Sequence, residues 1–336
     1  MARFINIIAI IVLTLLSLGA SSQDVTFSQF YANPLYLNPA FAGTIGVPRV
    51  AMQYRNQWHS FSNAFNTYSV ALDLPVEKLR GGIGVNLVND VQGNGALGVL
   101  TMNAAYSVGV QISENYTLHG GFKVGYVRNT LNVNDLVFAD NLDVYYGNHG
   151  VSAETSYLTE SNYSYLDYSI GTMLYSKTLF FGLAAHHLTE PNQTFTINDD
   201  YGVPLERKFT GHFGARLPVY LYGHHRKKFD ISPQLIIESQ GEFQQFNYGV
   251  FAARKGVALG TWFRQNFGIR YDAVIFVLGF VRNRVQLTYS YDLTVSGLAG
   301  ASGGTSEVSC VFLLKGNKRI KSLPFFDRYE EEFGEM

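Results

Sequence analysis

Beyond residue 48, apolar side chains recur at every second position through most of the chain. After Pro48, Val50, Met52, Tyr54 and Trp58 fall on one face, with Arg49, Ala51, Gln53, Arg55 and Gln57 on the other. Tyr68, Val70, Leu72 and Leu74 then alternate with Thr67, Ser69, Ala71 and Asp73, and Ile83, Val85 and Leu87 with Gly82, Gly84, Asn86 and Asp90. A period of two is that of an extended strand, whose successive side chains point to opposite faces. Runs of about ten such residues have the length a tilted strand needs to cross hydrocarbon. Similar runs cover 100–111 and 116–129, and others begin near Ser164, Thr178, Arg207, Phe229, Phe243, Val257, Tyr271, Arg284 and Gly304. The run from Tyr271 is nearly all apolar. The pattern predicts an all-β fold, a transmembrane antiparallel β-barrel of about 14 strands, the even number expected of bacterial barrels.

The polar face separates this reading from a secreted β-sandwich. It consists mainly of Gly, Ser, Thr and Ala, which suit a crowded interior. The charges that share it are Arg49, Arg55, Asp73, Asp90, Lys123, Asp167, Arg216, Glu238, Arg264, Arg284, Asp292 and Glu307. On a lipid face a mid-plane Arg or Lys would cost about 2–4 kcal/mol, so these positions are expected to face the lumen and pair there. Connection lengths alternate as well. The long ones, 130–163, 188–206 and 293–303, fall on one side and short turns on the other, with the basic stretch 221–229 the modest exception. Barrels carry short periplasmic turns and longer outer loops, so the first strand is expected to run outward and both termini to be periplasmic.

Composition strengthens the membrane reading. The 336 residues include 22 Tyr, 25 Phe and 33 Gly, while charged residues make up 15%, against roughly 25% in soluble domains. The formal net charge of −1 gives no basic surface for nucleic acid. Residues 1–22, MARFINIIAIIVLTLLSLGASS, have a positive start, a short apolar core and small residues at the end, as in a signal peptide. Cys310 is the only cysteine, so export brings no disulfide framework.

The stretch 24–44, DVTFSQFYANPLYLNPAFAGT, breaks the period-two pattern. Asn33-Pro34 and Asn38-Pro39 initiate turns, and Phe27, Phe30, Tyr31, Tyr36 and Phe41 crowd between them. Such a segment must bury itself against a surface made elsewhere. The division expected is a signal peptide at 1–22, a lead or plug at 23–48, the barrel at 49–314 and a periplasmic tail at 315–336. Because the lead precedes an outward-running strand, it is expected to start on the periplasmic side.

SQFYANPLYLNPAFAGT resembles the opening signature of the PorP/SprF family, outer-membrane proteins of type IX secretion and gliding motility in Bacteroidetes-type bacteria. YSYDLTVSGLAGASGGTSEVSCVF (289–312), DLVFADNLD and HHLTEPNQTF are similar to further stretches of that family, with Thr305-Ser306 standing where a Ser-His pair is expected. The resemblance implies a non-enzymatic outer-membrane component that helps secrete, retain or display a surface protein. Its partners would be an adhesin or other cargo with a type IX C-terminal domain, periplasmic secretion and gliding machinery, and outer-membrane lipid. A passive channel for small solutes is the alternative reading.

Candidate chemistry adds little to this. Adjacent histidines on a strand point to opposite faces, so neither His186-His187 nor His224-His225 is expected to chelate one metal ion. Asp135, Asp140, Asp143 and Glu154 share the long loop without EF-hand spacing. His59-Ser60 sits in no nucleophile motif. No cofactor, metal or catalytic residue is expected. The expected partner-binding residues are Phe138, Asp140, Asp143, Tyr145, Tyr146 and Pro191 in the two long loops.

Overall fold

A computed structural model describes residues 24–61, 64–136, 138, 142–143, 147–148, 152, 162–195, 202–220, 227–268, 270–297 and 299–315. The alternating runs form fourteen antiparallel strands: β1 (Arg49–Gln57), β2 (Phe65–Val76), β3 (Gly81–Gln92), β4 (Leu97–Gln111), β5 (Thr117–Leu131), β6 (Asn162–Tyr175) and β7 (Leu179–His186), then β8 (Lys208–Ala215, continued by Leu217–Tyr220), β9 (Lys227–Gln240), β10 (Phe243–Arg254), β11 (Val257–Asn266), β12 (Tyr271–Arg282), β13 (Val285–Thr294) and β14 (Thr305–Leu313). Each pairs with its sequence neighbours, and β1 closes the ring against β14 from Arg49↔Leu313 to Gln57↔Thr305. Closure satisfies every edge, as hydrocarbon requires. β8 is interrupted at Arg216, whose guanidinium bonds Asp230 on β9 at 3.2 Å.

The outer face is the apolar set read from the sequence. Tyr68, Val70, Ile83, Val85, Leu87, Phe122, Leu166, Ile170, Phe209, Phe276 and Leu287 are all exposed. Of the charges expected inside, Arg49, Arg55, Asp73, Asp90, Lys123, Asp167, Glu238, Arg264, Asp292 and Glu307 are buried. Arg216 is half-buried, and Arg284 is the exception. It stands exposed in the turn after Asn283, whose φ of 56° ends β12 before the alternation can include it. Trp58 was expected on the lipid side, but its φ of 59° takes it out of β1 and into the mouth of the lumen.

One end of the barrel carries only short turns among the described residues. The other carries the long connections 132–161 and 187–207. At the short-turn end, Lys255-Gly256 takes positive φ at both residues, the backbone a two-residue hairpin needs.

Residues 24–48 lie inside this ring. They hold a helical turn (Pro34–Leu37) and a 3-10 turn (Pro39–Phe41), each with proline at its first position, where no amide donor is required. The segment runs opposite to β1. Asp24 sits at the long-loop end, where its amide donates to Gln240 Oε1 at 3.3 Å. Ile45 and Val47 pack at the short-turn end with Leu313 and Val311. The expectation that the segment starts on the short-turn side is therefore not met by its described residues: it descends the lumen from Asp24 to Gly46–Pro48, and β1 climbs back alongside it.

Candidate functional site

The inner wall has two halves of different character, and the segment 24–48 matches each. One half is aromatic and aliphatic: Met173 and Tyr175 of β6, Phe180 of β7, Ile236 of β9, Trp262 of β11 and Ile275 and Val277 of β12. Phe30, Tyr31, Leu37, Ala40 and Phe41 fill the space against it. Phe30 meets Trp262 at 5.4 Å between ring centroids, Tyr31 stands edge-on to Phe180 at 5.7 Å, and Phe41 stacks on His212 at 5.1 Å. Aromatic pairs at these separations add to the gain from burial alone. The weak alternation of β12 now has its cause: Val274, Phe276, Leu278 and Phe280 face outward, while Ala273, Ile275, Val277 and Val281 are buried inside, Ile275 and Val277 against an apolar guest.

The other half is charged. Arg55 of β1 reaches Glu307 of β14 at 3.0 Å and Asp292 of β13 at 3.4 Å, and Arg264 of β11 reaches Asp292 at 3.0 Å. Ser28 and Gln29 sit on this network. Their amides donate to Glu307 Oε2 and Oε1 at 2.8 and 2.9 Å, and the Ser28 hydroxyl lies 2.7 Å from Arg55 and 2.8 Å from Arg264. The Gln29 side chain meets Ser290 at 3.1 Å and pairs with Ser309. Backbone donors from one chain segment thus complete the coordination of a buried carboxylate, the condition under which a buried ion pair is tolerated.

Lower down, fit is set by missing side chains. Gly82 faces Gly43, whose φ is +71°, and Gly121 faces Ala40; a Cβ at either wall glycine would strike the segment's backbone. Gly171 and Gly182 leave room for Asn38. The Asn38 side chain accepts from Ala40 N at 2.9 Å and donates to the carbonyls of Thr172 and Leu183, both at 3.1 Å. Gly43 N donates to Asp73, which pairs with Arg49 at 2.6 Å.

Above the segment, toward the long loops, the lumen opens into two adjoining cavities of about 670 and 770 Å³. Asp24, Val25, Asp90 and Gln92 line both. His187 stands between two carboxylates, with Nε2 2.8 Å from Asp24 and Nδ1 3.0 Å from Asp167. Burial alone would lower the His187 pKa, but Asp24 and Asp167 override it and raise the value to about 9. Burial likewise opposes ionisation of Asp24, and the His187 charge and hydrogen bond hold its carboxyl far below the ordinary range. Lys208 bonds Glu238 at 2.9 Å, and Lys123 lies 3.4 Å from His186 Nδ1. Burial, with Asp24 and Glu238 nearby, pushes the Tyr36 hydroxyl well above its usual range, so it remains a donor, to Val25 O at 2.7 Å.

The two histidines correct an expectation. Both rings point inward, 6.4 Å apart, because His187 leaves the strand with φ +55°. Even so, among the described residues no group of three or more His, Cys, Asp or Glu is placed to hold a metal ion. His224-His225, Asp140, Glu154, Tyr145 and Tyr146 lie outside the described residues. Asp143 belongs to a two-residue ribbon with Gly147-Asn148, Phe138 is half-buried, and Pro191 is half-buried with its carbonyl accepting from Leu205 N at 2.9 Å. His59 and Ser60 are exposed beside Gly303 at the long-loop end.

Phe27, Phe30, Tyr31, Tyr36 and Phe41 are brought together within the lumen. Ser28, Gln29, the wall glycines and the Asp24–His187–Asp167 cluster were not singled out from the sequence, and Asn38 was read as a turn initiator alone. Glycines in strand interiors, where they weaken a sheet unless another backbone approaches, are the signal that could have found the bed for 38–43.

A family model described as type IX secretion system membrane protein PorP/SprF matches residues 19–312. Among curated proteins, none matches the chain. Solved structures that resemble it include KdgM porin, at 7% identity, TM-score 0.37, 80% of this chain and 99% of that one. A triple mutant of the Rhodopseudomonas blastica porin aligns at 6% identity, TM-score 0.35, 80% of this chain and 99% of the other. A ferric enterobactin receptor (PfeA) mutant from Pseudomonas aeruginosa aligns at 9% identity and TM-score 0.37 over 74% of this chain, which spans 44% of the receptor's length.

Proposed function

The chain belongs to the PorP/SprF family of type IX secretion system membrane proteins, and on that premise we propose that this outer-membrane β-barrel holds a secreted surface protein in place without catalysing a reaction. The partner is an adhesin or other cargo with a type IX C-terminal domain, bound through the long loops and the vestibule they surround. In this reading residues 1–22 are removed after export, the short turns face the periplasm, where the secretion and gliding machinery docks, and 23–48 act as a plug.

The single observation that carries the proposal, beside family membership, is the division of the lumen. Toward the short turns it is packed by residues 30–47, while toward the long loops, where Asp24 and Val25 reach, it is open and lined by paired charges, tyrosines and amides. A space closed below and open above suits reception of a partner from outside. A passive channel needs a continuous aqueous path, which the packed half does not favour.

Affinity purification of the barrel from outer membranes should bring with it a secreted protein bearing such a domain. Shortening loops 132–161 and 188–207 should abolish display of that protein while the barrel keeps its heat-dependent shift on a gel. Unchanged display by folded, loop-shortened barrels would sink the proposal.

A further inference from the structure

Eight exposed cations lie at the short-turn end of the barrel. Lys78 and Arg80 lie between β2 and β3 and Lys177 between β6 and β7; Arg254 ends β10 and Lys255 follows it, Arg282 ends β12 and Arg284 lies in the turn after it, and Lys315 comes after β14. The acids exposed in the described turns of that end are Glu77 and Glu114. No ion pair engages any of the eight among the described residues, although Arg49, Arg55, Lys208 and Arg264 are all paired inside the lumen.

Their height on the barrel is fixed by their neighbours. Arg80 follows the exposed Leu79, Lys177 precedes the exposed Leu179 by two residues, and Lys255 stands two from Val257. Arg282 stands two from Phe280, and Lys315 follows Leu314. At about 3.3 Å per residue along a tilted strand, each charge begins within one headgroup depth of the last lipid-facing side chain. Seven of the eight lie on one arc of neighbouring strands, β10 to β14 and on through β1 to β3, with Lys177 apart from them, and the arc follows the lipid-facing edge of the barrel.

We propose that this basic rim binds anionic phospholipid headgroups, of the phosphatidylglycerol class, in the leaflet at the short-turn end. Ammonium and guanidinium groups donate to the phosphate oxygens, Arg in bidentate fashion. Anionic lipid held along this rim would keep the barrel at a defined depth, independently of what the long loops bind.

The test uses the full-length barrel purified in a neutral detergent and offered phosphatidylglycerol or phosphatidylcholine, with bound lipid counted by native mass spectrometry. Phosphatidylglycerol should be retained preferentially. Replacing Arg254, Lys255, Arg282 and Arg284 together by Gln should reduce that preference, on a scale of roughly fivefold per charge at an anionic surface. Water-soluble glycerol phosphate at equal concentration should not compete, which separates a lipid-binding rim from a simple phosphate site. The substituted residues are exposed, at strand ends and in turns, and an unchanged heat-dependent gel shift shows that the variant folds. Equal retention of the two lipids, or an unaltered preference in the folded variant, would overturn the proposal. So would a variant that keeps its lipid selectivity and loses a co-purifying periplasmic protein instead.

Discussion

At the scale of single residues, the lumen is held by charges that cannot be removed one at a time. Asp292 serves Arg55, Arg264 and the Ser28 hydroxyl together. Asp292→Ala should therefore destabilise the barrel by about 3–5 kcal/mol, because two guanidiniums lose a buried counter-ion. The midpoint of the heat-dependent gel shift measures this, and a midpoint equal to wild type would contradict the network. His187 adds a pH dependence. Its pKa is raised from 6.5 to about 9, so its contribution is fully present below pH 6.5 and is lost as pH rises through about 9. The lowered Asp24 value acts in the opposite sense, with its contribution present above about pH 4 and lost as pH falls further. Protection of 24–28 from hydrogen exchange, referred to the intrinsic rate at each pH, should thus fall between pH 6.5 and 9.5. In His187→Gln that fall should flatten, and an identical fall in the variant would remove His187 from the account. The inward charges were legible because lipid leaves them nowhere else to go. The His187 turn was not, because nothing in HHLTEP marks the residue at which the strand stops alternating.

At the scale of elements, thirteen of the fourteen strands were readable from the period of two. The one that read poorly, β12, did so because its inner face is apolar to receive Phe30 and its neighbours. The segment 24–48 was recognisable as something that needed a surface, since prolines and aromatics ruled out both a strand and a regular helix. Its direction of travel was not recognisable, because no residue type encodes which end of a lumen a segment enters. Its fit depends on the wall glycines. Gly121→Val should displace the 39–41 turn while β4, β5 and β6 retain their pairing, since the outward half of β5 is untouched. Limited proteolysis within 30–44 should then become possible in a barrel that still shows its gel shift. A variant as resistant as wild type would show that the close approach at Gly121 does not determine the fit.

At the scale of the whole molecule, the lumen, the long-loop vestibule and the short-turn rim form three zones along one axis, packed, open and basic in character. The account places reception of a partner in the second zone and closure in the first. Closure is the point on which the retention reading and the channel reading differ most. Single-channel conductance of the purified barrel in a planar bilayer tests it directly. The account predicts that the intact protein passes little current, and that removing residues 24–46 produces discrete, stable openings from a barrel that still folds. A large steady conductance from the intact protein, unchanged by that deletion, would contradict it.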